Sequence, residues 1–157
     1  MTATGDAGRM IDRIIARLLG TPWLMRLPIP LYRAGLGRLL GRRLVMIEHV
    51  GRSSGEPRYV VVEVVEREGR ALRVASGFGT RAQWYRNLRA NGIAHLSTGG
   101  VRRERVRVNL LDDERSCSVL ERYTAAHPAA WRRLKSAMDV AQGGDARILV
   151  VEFVPFD

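Results

Sequence analysis

Apolar positions change their spacing along the chain. From Arg9 to Leu19 they recur helically: Met10, Ile11, Ile14, Ile15, Leu18 and Leu19 share a face, with Arg9, Asp12, Arg13 and Arg17 opposite. Gly20 and Pro22 end that predicted helix. "PIPLYRAGLGRLLGRR" places Leu31, Leu36, Leu39 and Leu40 near helical spacing among Arg33, Arg38, Arg42 and Arg43. This basic amphipathic segment suits packing on its own domain, a partner chain or a membrane surface.

From Leu44 the pattern turns β-like. "LVMIEHV" reads as a strand, "GRSSGEP" breaks it, and "RYVVVEVVE" and "RALRVAS" read as a hairpin around "REG". Thr80 and Gln83 fit a capping box, which predicts a helix from about Arg81 to Asn91-Gly92. "IAHLST" and "RRERVRVNL" form a second predicted hairpin across Gly99-Gly100. In its second strand Val106, Val108 and Leu110 face one way, and Arg103, Arg105 and Arg107 the other. Asp112 caps a helix to about Ala126, Pro128 opens another from Ala129 to about Val140, and "ARILVVEFVP" is a last strand. Six strands dominated by hairpins predict an α+β fold, mostly antiparallel and closable as a barrel, with flanking helices that include the N-terminal amphipathic ones.

Composition narrows the chemistry. The 157 residues suit one domain. The lone Cys117, read as a half-buried helix residue, allows no internal disulfide, and His49, His95 and His127 lack metal-site spacing. The net charge of +10 comes almost wholly from arginine, since Lys135 is the only lysine. Guanidinium grips phosphate and carboxylate through paired hydrogen bonds. A solvated surface accounts for such a charge as well as nucleic acid, an anionic membrane or an acidic small molecule does. No apolar run is long enough to span a bilayer, and the start does not read as a signal peptide. The expectation is a cytoplasmic protein, with peripheral association at the inner face of the membrane as an extension.

Two loops are candidates for one anion. In "GRSSGEPR", Gly51 and Gly55 let the backbone curl, Ser53 and Ser54 add hydroxyls, and Arg52 and Arg58 add charge. In "SGFGTRAQWY", Gly77, Phe78 and Gly79 lead into a helix whose first N–H groups favour phosphate, with Arg81 at the join. Trp84, Tyr85 and Leu88 anchor that helix.

These stretches together resemble the deazaflavin-dependent nitroreductase family, whose members read T-G-R-K-S-G-x-x-R and later A-S-K-G-G followed by P-x-W-Y-x-N-L-x-A-N-P. The resemblance covers about residues 30–155. It implies a split β-barrel related to flavin-binding reductases. It also implies coenzyme F-420, a deazaflavin with a phosphate and an oligoglutamate tail, as hydride donor to quinones, nitro compounds or activated double bonds. Arg52, Ser54, Gly55 and Arg58 match the first motif; Ala75, Ser76, Gly79, Trp84, Tyr85, Asn87 and Leu88 match the second. The resemblance places Ser76 near the reactive ring, the barrel wall of Val60, Val61 and Ala75 against one ring face, and Tyr123 over the substrate. Tyr123 and His49 are the candidate proton donors.

Departures stand at Ser53 and Gly77, where the family has lysines, at Ala82 for a proline and at His49 for a threonine. Arg81 is a substitute for one lost charge. The alternatives are flavin mononucleotide (FMN) as cofactor, a cofactor-free binding barrel, and nucleic-acid binding through the arginine row, ranked last. A homodimer is a further expectation, as is a lipophilic substrate. The domain reading gives residues 1–43 to a helical segment packed on the barrel, a membrane or a partner, and 44–157 to the cofactor-binding barrel.

Overall fold

The structure is a computed structural model that describes residues 28–143 and 147–157. The helix expected over residues 9–19 lies outside them. Six strands form a closed barrel: β1 (Leu44–Val50), β2 (Pro57–Glu68), β3 (Ala71–Ser76), β4 (Ile93–Thr98), β5 (Val101–Leu110) and β6 (Leu149–Pro155). The order around the barrel is β1-β2-β3-β6-β5-β4, and every ladder is antiparallel. Among the described residues four α-helices flank it: α1 (Pro28–Arg33), α2 (Gln83–Asn91), α3 (Asp113–Ala126) and α4 (Pro128–Gln142). The expected α+β split barrel of six strands is therefore what the chain forms.

Strand alternation sorts side chains into an interior and an outer skin. Val45, Ile47, Val62, Leu72, Val74, Leu96, Val106, Val151 and Phe153 fill the interior. Ala82, Tyr85 and Leu88 join that cluster, so α2 plugs one mouth of the barrel. On the outside, α3 and α4 cover Val65, Ala75 and Val150 through Val119, Tyr123 and Met138. Elsewhere Tyr32 of α1 packs on Leu44, Met46 and Val61. Val65 continues the outer face of β2 beyond Glu63 and packs under α3 and α4, at a bulge between Val64 and Glu66.

Three local expectations need correction. "PIPLYRAGLGRLLGRR" does not run as one amphipathic segment; it splits into α1 and a 3₁₀ turn at Gly37–Leu40, because Gly35 takes φ +80°. Leu36 and Leu39 are consequently exposed. The capping box at Thr80 and Gln83 does not form. Gly79–Arg81 is a 3₁₀ turn, extended Ala82 occupies the N-cap position, and no side chain caps α2. Cys117 is exposed, because Ser116, Val119 and Tyr123 form the buried face of α3. Other ends follow the sequence. Gly92 closes α2 in the left-handed conformation, and the Asp112 carboxylate accepts from the Arg115 N–H at 2.8 Å.

Candidate cofactor-binding site

The β1–β2 turn and α2 meet at the plugged mouth of the barrel. The turn is closed by its own backbone, with Gly55 N–H donating to Gly51 C=O and Gly51 N–H to Glu56 C=O. Ser54 Oγ accepts from the Glu56 N–H, while Ser53 and Arg58 are exposed. Arg52 leaves the turn and crosses to α2. Its backbone N–H and guanidinium both donate to Asn87 Oδ1, at 3.1 and 2.9 Å, and its second terminal nitrogen donates to Gln83 Oε1 at 2.9 Å. The glutamine expected to cap the helix thus holds Arg52 instead.

Asn87 is buried although polar, and its remaining amide hydrogen explains why. With Oδ1 accepting from Arg52, Nδ2 is the donor to His49 Nδ1 at 3.1 Å. His49 lies on the inward face of β1 with Val45 and Ile47, and is itself buried. Accepting at Nδ1 fixes the neutral tautomer that carries its proton on Nε2. Burial, helped by the nearby Arg58 charge, pushes the His49 pKa down to about 4.

The second loop is braced from within. Ser76 Oγ, fully buried, donates to the Gly79 carbonyl at 2.8 Å. Gly79 has φ +55°, and a Cβ there would lie 2.9 Å from the Arg147 carbonyl oxygen. Gly77 sits against the Met138 side chain of α4, Phe78 is half exposed, and Arg81 is exposed. The lysine that the resemblance expects at 77 is thus replaced by a residue packed under a helix.

Between the two loops lies an open basin of about 410 Å³, lined by Arg52, Thr80, Arg86, Arg89 and Ala90. Arg86 donates through Nε to the Thr80 carbonyl at 3.0 Å. Three guanidiniums converge here, and among the described residues the lining holds no carboxylate. A donor set of this kind fits phosphate or carboxylate groups.

The other candidate residues lie elsewhere. Val60 packs with the barrel interior, Val61 lies under α1 and Ala75 under α3 and α4, so the three share no single exposed wall. Trp84 is partly buried against the interior cluster and meets Tyr85 edge-on at 6.4 Å. Tyr123 stands on the outer face, where its hydroxyl donates to the buried Glu63 carboxylate at 2.8 Å. Arg43 reaches the same oxygen at 3.2 Å. Burial, then the Glu63 charge, raises the Tyr123 pKa well above its ordinary value. The arginine row of β5 does not form a groove: Arg103 forks onto Glu48, and Arg105 and Arg107 lie over the Phe156 ring. Arg86 and Arg89 were not among the residues that the sequence singles out, and Gln83 was read there only as a helix cap. Their signal was present, since Arg86 and Arg89 are three apart on α2 beside the small Ala90.

The family model described as F420H(2)-dependent quinone reductase matches residues 25–141. The chain belongs to that family. It is therefore an oxidoreductase of a deazaflavin-dependent family, which the loops at Gly51–Arg58 and Ser76–Arg81 already suggest. No curated protein matches the chain. Among solved structures, one described as a domain-swapped dimer superposes with TM-score 0.56 at 20% identity, covering 84% of this chain and 97% of that one. An F420-H2 dependent reductase gives TM-score 0.50 at 22% identity, with 73% and 96% covered. A putative pyridoxamine 5'-phosphate oxidase from Listeria innocua gives 0.52 at 16%, with 81% and 94% covered. At these identities the likenesses establish the shared barrel fold.

Proposed function

We propose that this chain binds reduced coenzyme F-420 across the β1–β2 turn and the loop before α2, and passes its hydride to a lipophilic quinone. The observation that carries this reading is the arginine-lined basin between the two loops that match the family motifs. When bound, the deazaflavin supplies the two-electron hydride chemistry. The chain's own residues bind, orient and exclude water. Arg52 meets the cofactor's anionic groups from a position fixed by Asn87 and Gln83. Ser76 and Gly79 keep the second loop in its turn. In this reading His49 and Tyr123 hold the frame through buried hydrogen bonds, and water in the open site provides the product's proton. Nitro compounds and activated alkenes are further acceptors of the same type.

The quinone preference and a peripheral membrane site support one another. Leu36, Leu39 and Val101 are exposed together with Arg33, Arg38, Arg42 and Arg102. The Arg102 guanidinium donates to the Arg33 carbonyl, and Gly99 and Gly100 lie beside the Arg42 and Arg38 side chains, so these residues form one face. Apolar side chains ringed by arginine suit an anionic bilayer surface. A homodimer is the assembly we propose, by analogy with the domain-swapped neighbour.

A turnover assay tests the reading. Purified protein should oxidise reduced coenzyme F-420 only when a naphthoquinone is added, and Arg52→Ala should slow this at subsaturating cofactor. Quinone-independent oxidation, or turnover with reduced FMN alone, would contradict it.

A further inference from the structure

The two motif lysines are absent, and three arginines line the basin beside the loops that would carry them. Arg86 and Arg89 occupy the positions that the family pattern W-Y-x-N-L-x-A-N leaves open. They project from one face of α2 into the basin that Arg52 enters from the β1–β2 turn. Two of the three guanidiniums are held by neutral acceptors: Arg52 by Asn87 and Gln83, Arg86 by the Thr80 carbonyl. Among the described residues the Arg89 guanidinium makes no hydrogen bond or ion pair. On the barrel wall several arginines are neutralised at short range, Arg73 by Glu66, Glu68 and Glu152, Arg103 by Glu48 and Arg122 by Glu66, whereas Arg52 and Arg86 at the basin meet only neutral acceptors. Three like charges gathered without an acid repel each other until an anion arrives.

We propose that Arg86 and Arg89, with Arg52, form a relocated anion subsite on the outer face of α2 that takes the carboxylates of an acidic cofactor tail. This deepens the proposed function and rests on it. Arg52, already fixed against α2, marks the end of the basin nearest the first motif loop, and Arg89 receives the tail beyond it. Ala90 leaves room for a chain to lie along the helix. The basin is open, so a tail of variable length fits, and binding through it weakens as salt screens the charges.

The test is an equilibrium titration by tryptophan fluorescence with two probes: coenzyme F-420 carrying its oligoglutamate tail, and the deazaflavin riboside core that lacks phosphate and tail. The wild type should bind the tailed form more tightly, with an affinity that falls as salt rises. Arg86→Ala/Arg89→Ala should lose about ten- to hundredfold for the tailed form and flatten its salt dependence, and Arg89→Ala alone, which keeps the Arg86–Thr80 contact, should weaken the tailed form with core affinity unchanged. Arg102→Ala, on the distant β4–β5 hairpin, should alter neither. Undiminished preference for the tailed form in the double variant would overturn the subsite while leaving the cofactor reading intact. Core affinity falling in parallel would mark a folding defect and overturn it as well. Failure of both probes on the wild type would overturn the cofactor reading, and the subsite with it.

Discussion

Asn87 joins three functions in one side chain: it seats Arg52, fixes the His49 tautomer and sits buried at the barrel mouth. Asn87→Ala leaves a guanidinium, a backbone N–H and an imidazole nitrogen short of partners, and should cost about 2–3 kcal/mol in denaturant unfolding. An unchanged midpoint would show that water replaces the amide freely. His49 sets a pH signature. Its pKa falls from 6.5 to about 4, so the folded chain holds fewer protons than the unfolded chain between those values. This contribution to stability is complete above pH 6.5 and is lost as pH falls towards 4, by up to about 3 kcal/mol. The decline over that interval should be shallower in His49→Gln than in wild type; identical curves would place the buried charge cost elsewhere. The sequence marked both residues, Asn87 through the motif and His49 through its departure from it. It did not show that they touch, because they are 38 positions apart and meet only when α2 enters the barrel.

Elements were legible where a local signal decides them. Strand alternation located all six strands, and Asp112 and Gly92 marked helix ends through their own backbone chemistry. The start of α2 was misread because Thr80 and Gln83 have capping spacing, yet the tertiary partner Arg52 outcompetes the helix end for Gln83. The turn before α2 depends on Gly79. Gly79→Ala would combine φ +55° with a Cβ 2.9 Å from the Arg147 carbonyl, and should lower stability by about 1–3 kcal/mol. Thermal unfolding reads this, and an unchanged Tm would mean the loop relaxes without cost. On the opposite side α3 is tied to β2 by Tyr123 and Glu63. Tyr123→Phe removes that bond from a buried carboxylate and should destabilise by about 1–2 kcal/mol. If the same variant also abolished turnover with its fold intact, Tyr123 would be a catalytic residue and not a member of the frame.

At the scale of the molecule, one barrel, one plugging helix and one strongly basic surface explain most of the sequence. The net charge of +10 was ambiguous as a number. The structure divides it into paired arginines on the barrel wall, a ring around Leu36, Leu39 and Val101, and the convergent set at the basin. That division was illegible in the sequence, because it depends on which carboxylates the antiparallel register brings alongside. Leu39→Glu should abolish pelleting of the full chain with anionic vesicles, and wild-type protein that never pellets would contradict the proposed membrane face. The most direct test of the central claim is a side-by-side titration of the purified chain with coenzyme F-420 and FMN. Binding of the deazaflavin alone, weakened in Arg52→Ala, is the predicted result. Binding of FMN alone, or of neither, would contradict it.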